Sequence, residues 1–318
     1  MNNIKKIGLT ALAASLVSVS ANAGSMSVAG GASLGLVGYS GEDLNAGKSF
    51  SMGNQLTFTG GGELDNGINV ALSFVLDQGD GDPSPFDSHS LTLSNDAFGS
   101  LKFMGEGGST TANAIDKSAA GDIWDAFDGM TNADAQTGKT ATAGDNAMIY
   151  TSPELMDGLV ATASYQPQGS NRVSGTGLGA TYTGVDGLTV KYAVADIVGA
   201  TIAASGDETV FYASYAYGPV TVSASNMESD ISAANSDYEV TSYAISYTVS
   251  DDLSVTYGME DITLEGSATD AEYEKLSLSY TTGGMTLSAS TNSAENASFT
   301  ANSNEDYEKW TLGATFAF

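Results

Sequence analysis

Apolar and polar residues alternate one by one along most of the chain. Ile68, Val70, Leu72, Phe74 and Leu76 are interleaved with Asn69, Ala71, Ser73, Val75 and Asp77. Leu253, Val255, Tyr257 and Met259 alternate in the same way with Ser254, Thr256, Gly258 and Glu260. Successive side chains leave a β-strand on opposite sides, so this pattern predicts strands with one apolar and one polar face. The polar face is mostly Ser, Thr, Gly and Ala, too small and too polar to fill the core of a sandwich. It suits a water-filled lumen, with the apolar face turned to lipid.

The connections between the alternating segments come in two lengths. Short ones carry turn residues: Asp65-Asn66-Gly67, Asn95 to Gly99, Met156-Asp157-Gly158, Val185-Asp186-Gly187, Gly218-Pro219, Ser250-Asp251-Asp252 and Thr282-Gly283-Gly284. Asn, Asp and Gly tolerate the positive φ of tight hairpins. Between these seven turns lie eight longer polar stretches, near residues 40–48, 78–88, 105–145, 166–175, 199–207, 227–236, 262–272 and 292–305. Seven turns and eight loops join sixteen strands. An even count puts both chain ends on one side, as in bacterial transmembrane barrels with short inner turns and long outer loops. The fold class predicted is therefore all-β, a transmembrane antiparallel β-barrel of 16 strands.

The N-terminal residues bear on the compartment. Lys5 and Lys6 precede an apolar stretch, Ile7 to Val19, and Ala21-Asn22-Ala23 follows as a small-residue cleavage pattern. Residues 1–23 are thus expected to be a secretory signal peptide, with the barrel spanning residues 24–318. No later run approaches the roughly 20 apolar residues of a spanning helix. A closed barrel is the other way to satisfy every backbone group in hydrocarbon.

Charge narrows the function. The whole chain carries −28, and setting Lys5 and Lys6 aside leaves eight Lys and Arg against 38 Asp and Glu, or −30. Such a surface repels phosphate backbones, which argues against a nucleic-acid role. Acid-rich chains poor in apolar residues are often disordered, but 42% hydrophobic and 9% aromatic residues argue for an ordered fold. With no cysteine, no disulfide framework is available. Tyr150, Tyr165, Tyr217 and Tyr247 fall near strand ends on the apolar phase, where an interfacial girdle is expected. Trp310, Leu312, Ala314, Phe316 and Phe318 alternate up to the final residue, which resembles the C-terminal signal of outer-membrane barrels.

The stretch Asp145-Asn146-Ala147-Met148-Ile149-Tyr150-Thr151-Ser152-Pro153-Glu154, with Gly158 and Tyr165-Gln166-Pro167 after it, is similar to the segment that follows the long third loop in Gram-negative general porins. The resemblance covers essentially all of the chain beyond residue 23. It implies a sixteen-stranded outer-membrane barrel, usually a homotrimer, whose long third loop folds into the lumen and narrows it. Outer-membrane lipid and lipopolysaccharide are the expected surroundings, and small hydrophilic solutes and cations the expected cargo. One departure stands out: many relatives carry an arginine just before the motif tyrosine, and here that residue is Ile149. Arg172 is the only arginine in the chain and falls in an expected outer loop. Lys102 and Lys191 have the inward phase instead.

The third long connection is the candidate functional site, since loops of about 40 residues seldom serve as plain connectors. It holds Glu106, Asp116, Asp122, Asp125, Asp128, Asp134 and Asp145 against Lys117 and Lys139. Gly121 to Gly129 reads as a short amphipathic helix: Ile123, Trp124 and Phe127 share one arc, and Asp122, Asp125 and Asp128 the opposite one. If the apolar arc packs on the wall, the aspartates face the passage and favour cations. Glu106, Asp116, Asp122, Asp125, Asp128, Asp134, Lys102, Lys117 and Lys191 are the expected constriction residues.

Other features carry less. Asp77, Asp80, Asp82 and Asp87 could offer oxygens to Ca²⁺, but the closing glutamate of an EF-hand is missing. A latch onto a neighbouring subunit is as good an account of that loop, on the family resemblance. His89, the single histidine, has no nucleophile-elbow context, so no catalytic set and no cofactor is expected. Gly30-Gly31 and Gly60-Gly61-Gly62 lie in strand patterns rather than before helices. A substrate-specific channel and a surface adhesin are the alternatives; an adhesin built as a solenoid predicts a fixed short repeat, which the sequence lacks.

Overall fold

A computed structural model describes residues 25–41, 48–77, 87–115, 119–127, 145–167, 173–201, 205–299, 301 and 306–318. Sixteen strands follow one another in chain order. The first eight are β1 (Ser25–Gly41), β2 (Lys48–Glu63), β3 (Asn69–Asp77), β4 (Ser88–Asn95), β5 (Gly99–Glu106), β6 (Ala147–Thr151), β7 (Leu159–Gln166) and β8 (Ser174–Tyr182). The second eight are β9 (Leu188–Val198), β10 (Gly206–Tyr217), β11 (Val220–Ile231), β12 (Tyr238–Ser250), β13 (Leu253–Leu264), β14 (Ala271–Thr282), β15 (Met285–Glu295) and β16 (Tyr307–Ala317). Each pairs antiparallel with its sequence neighbours, and β1 pairs with β16 to close the barrel. Closure removes both sheet edges, so no row of strand amides faces hydrocarbon unpaired.

Two outward aromatics set the seam. Gly30 exchanges backbone hydrogen bonds with Phe318, and its missing side chain leaves room for the Phe318 ring. Gly38 leaves the same room for Trp310. A Cβ at either position would collide with the ring, so the two glycines are packing requirements of the closed barrel.

All seven predicted turns occur where expected. Gly67, Gly99, Gly158, Gly187, Gly218 and Gly283 have positive φ in six of them, a region open to residues without a Cβ. The outer connections after β11, β13 and β15 are shorter than expected. These strands run on to Ile231, Leu264 and Glu295.

The physical reason is a change of polarity at constant phase. On β12, Tyr243, Ile245 and Tyr247 point outward and are exposed, while the inward positions are Ser242, Ala244 and Ser246. Higher on the same strand the outward residues become Thr241 and Glu239, and the inward ones Val240 and Tyr238, both buried. The strand keeps its period of two, but apolar now means inward. Every strand from β9 to β16 carries an outward carboxylate above its apolar stretch: Asp196, Asp207, Glu228, Glu239, Asp261, Glu274, Glu295 and Glu308. The outward phase of β1–β4 has none, and that of β5 only Glu106 at its outer end, opposite His89; on these strands Met26, Leu34, Phe50, Met52, Leu72 and Phe103 lie exposed. Met52 is 69% and Tyr217 75% exposed, and a belt of such residues marks a surface made for lipid.

Candidate functional site

The chain leaving β5 runs along the inner wall. Its stem is tied by Asp145, whose Oδ1 accepts from Gly107 N at 2.9 Å and whose carbonyl accepts from Gln166 Nε2 at 2.7 Å. Thr111 N then donates to Ser164 Oγ on β7 at 2.9 Å. Ala119 N reaches Ser225 Oγ on β11 at 2.6 Å, and Ala120 N reaches Ser242 Oγ on β12 at 2.9 Å. Ile123 N and Trp124 N both donate to Glu260 Oε2 on β13, at 2.5 and 3.3 Å. Phe127 packs against Tyr273 on β14, the rings tilted by 43° with centroids 5.9 Å apart. Finally Lys309 Nζ on β16 donates to Ala126 O. Outside regular structure such amides need partners, and wall side chains supply them strand by strand.

Four of the contact points mark a border on the outer face. Ser225 lies between outward Ala224 and Asn226, Ser242 between Tyr243 and Thr241, Glu260 between Met259 and Asp261, Lys309 between Trp310 and Glu308. Each is therefore the inward residue at the border where the outward face changes from apolar to polar. Ser225, Ser242 and Glu260 are direct partners in the register of β11, β12 and β13, whereas Lys309 lies two positions below Tyr307, the β16 residue of that row. The inner segment and the outer polarity border step together, so the segment sits at the upper edge of the lipid-facing belt.

At the end of this path Ile123–Phe127 forms a 3-10 helix, not the α-helix that the spacing of its apolar residues suggests. Gly121 (φ 86°) and Asp122 (φ 47°) turn the chain just before it; Gly and Asp both tolerate this region. Both helix ends meet a charge that suits them, a carboxylate at the amides and an ammonium at the carbonyl end. Ile123 and Phe127 are 0% exposed. They join Val210, Met227, Val240, Ile262 and Tyr273 in one apolar cluster on the inner side of the wall. Gly258 makes the room: a Cβ there would stand 2.6 Å from Ala120 Cβ.

The expected site residues fare differently. Asp125 is exposed on the helix face away from the wall, and Asp122 is half-buried before the helix. Glu106 ends β5, where Oε2 lies 4.0 Å from His89 Nδ1. Lys102 is inward on β5 and pairs in register with Ile149, so this cation adjoins the position where relatives carry an arginine. Lys191 lies over the Tyr212 ring at 5.1 Å. Asp116, Lys117, Asp128, Asp134 and Lys139 fall outside the described residues, as do Arg172, Asp80 and Asp82. Asp77 ends β3 and Asp87 precedes β4; among the described residues no three metal-ligating side chains cluster. Sequence reasoning missed Glu260 and Lys309, which anchor the segment. Their signal was phase alone, a charge on the inward side of a strand.

Fold and site together define a transmembrane β-barrel with the described part of its third long connection held against the inner wall. The chain belongs to the Gram-negative porin family, whose sequence profile matches residues 8–318, and it resides in the outer membrane. Its fold is similar to that of OmpT of Vibrio cholerae, at 15% identity over 95% of this chain and 100% of that one, with a TM-score of 0.70. The in-vitro folded, trimer form of that protein matches at 17% identity over 93% and 100%, TM-score 0.67. An anion-selective porin from Comamonas acidovorans matches at 15% identity over 93% and 100%, TM-score 0.66. Among curated proteins none matches.

Proposed function

We propose that the protein is a water-filled, cation-preferring diffusion channel for small hydrophilic solutes, narrowed inside the barrel by the segment between β5 and β6. The observation that carries this reading is the two-faced 3-10 helix: Ile123 and Phe127 are sealed against the wall while Asp125 is left exposed. Asp122 and Asp125, with Asp116, Asp128 and Asp134 on the same connection, supply negative charge to the passage. Lys117 and the inward Lys102 and Lys191 modulate it. A unit charge 4 Å from a passing ion is worth about 1 kcal/mol in water, about a fivefold bias, so several acids acting together give a clear preference. Fold likeness does not set its sign, because fold does not imply function; the related barrel described as anion-selective makes the same point.

The protein acts as a homotrimer in this reading, supported by the trimer form of the related OmpT. Residues 1–23 are removed on export, and lipopolysaccharide and lipid surround the barrel.

The test is the reversal potential in a planar bilayer under a KCl gradient. A value near the K⁺ equilibrium potential is expected. A value at zero or on the chloride side refutes the acidic filter, and absence of conductance from folded protein refutes the channel itself.

A further inference from the structure

Below the inner segment, the lumen wall of β13–β16 is an ordered polar array. The register sets Lys275, Asn292 and Lys309 side by side in one inward row. Thr256, Ser277, Ser290 and Thr311 form the inward row beneath it. Ser254, Ser279 and Ser288 form the next. The hydroxyls of both lower rows line a recess of about 280 Å³, with Lys275 at its upper rim. A water takes about 30 Å³, so the recess has room for about nine waters, the bulk of one monosaccharide ring.

The two ammoniums of the upper row are differently engaged. Lys309 Nζ donates to Ala126 O and lies over the Tyr39 ring at 5.4 Å, so it belongs to the seat of the inner segment. Lys275 has no ion-pair or hydrogen-bond partner among the described residues. Asn292 stands between them, 4% exposed. Its Nδ2 donates to Ser290 Oγ at 3.3 Å, while its buried Oδ1 accepts from no described residue; buried acceptors ordinarily have a donor. In the rows below, the Ser290 and Thr311 hydroxyls bond each other at 2.8 Å. Ser254, Ser279 and Ser288 make no side-chain hydrogen bond among the described residues, which leaves their hydroxyls to the lumen. No described inward position of β13–β16 below Glu260 is a carboxylate.

We infer that this recess is a solute site for a monosaccharide bearing one carboxylate, with the carboxylate on Lys275 and the ring hydroxyls on the serine and threonine array. An ammonium only donates and makes its strongest hydrogen bonds to an anionic oxygen. Ser and Thr hydroxyls both donate and accept, as sugar hydroxyls do, and Asn292 Oδ1 takes one donor more. A second negative charge on the solute finds no second free ammonium here and faces the acids of the inner segment above, so a monoanion is selected. The inference rests on a lumen open to small solutes, as in the proposed channel, and is independent of its ion preference: the acids govern entry and the array governs dwell.

The test uses the full-length protein in planar bilayers in 1 M KCl, where a Debye length of about 3 Å screens the acids of the segment. Glucuronate, glucose and acetate are added in turn, the last two each carrying half of the chemistry of the first. Glucuronate is expected to interrupt the current at a half-saturating concentration about tenfold below either control. K275M, which keeps the stem and removes the charge, should abolish the advantage over glucose, and S279A/S288A the advantage over acetate. Glucuronate no stronger than both controls, or an unchanged advantage in either variant, overturns the inference. Stronger block by glucose 6-phosphate than by glucuronate overturns it as well. Isothermal titration calorimetry on the same proteins in detergent reads binding without conductance. A silent protein that binds glucuronate through Lys275 keeps the site and refutes the channel; a conducting one that does not bind it refutes the site.

Discussion

The two sides of the barrel treat the same backbone rule differently. On β1–β4 the outward phase carries no carboxylate and is dominated by large apolar side chains, and on β5 only Glu106 stands there, at the outer end beside His89. The inward phase of β1 and β2 is mainly Ser, Thr, Gly and Ala. On β9–β16 the outward phase begins apolar and turns acidic, while the inward phase begins polar and turns apolar. Phase is a property of the pleat, but polarity answers to whatever is packed against each face. Above the lipid-facing belt of β9–β16 the outside meets water and the inside meets the chain that follows β5, and the chemistry inverts at that level. The passage is therefore one-sided, bounded by a clad wall and by the small neutral side chains of β1 and β2.

Removing the anchor of the clad wall should have the largest effect. Glu260→Ala leaves the amides of Ile123 and Trp124 without their acceptor in a buried place, at about 1–3 kcal/mol each. Single-channel recordings should then show higher conductance with frequent transitions. Glu260→Gln, which retains an acceptor oxygen, should restore most of the quiet state. Parent-like traces from Glu260→Ala would mean that the wall does not hold the segment.

Next comes the polarity border. A lysine at Leu278, below the border on β14, should cost about 2–4 kcal/mol, and one at Leu72 on β3 about as much. At Thr241, above the border on β12, the cost should fall to about 0–1 kcal/mol or turn favourable beside Glu239. Urea unfolding from lipid vesicles measures all three, and equal costs would erase the contrast between the levels.

Gly258→Val fills the seat of Ala120 without touching a charge. Overpacking costs of about 1–3 kcal/mol should push the segment toward the passage and lower conductance; a rise would place the segment's slack elsewhere. The smallest effect is expected from Asp125→Asn. One exposed charge is worth about 1 kcal/mol or less, so the reversal potential should move by a few millivolts toward zero. The shift should vanish at 1 M salt, where the Debye length is about 3 Å.

Much of this was legible beforehand, and for a physical reason. Period-two alternation, seven turn signals and the terminal aromatics are local, and they specified sixteen strands, the turn positions and the lipid-facing phase. The two-faced segment around Asp125 was also visible, because amphipathicity shows at any short-helix spacing. Its 3-10 geometry was not: five residues held at both ends by Glu260 and Lys309 take the turn that those anchors allow, not the one their own spacing prefers. The upper extensions of β11, β13 and β15 were read as loop because the alternation there runs in the opposite sense, and only the partner inside the barrel makes sense of it.

The sequence by itself thus determined the class of fold, the membrane as its solvent and the acidic character of the third connection. The tertiary structure alone decided which strand carries each anchor, at what height the inner segment lies and which side of the passage stays bare. Those depend on residues more than a hundred positions apart, such as Ile123 and Glu260 or Ala126 and Lys309, and no local pattern brings such pairs together before the barrel closes.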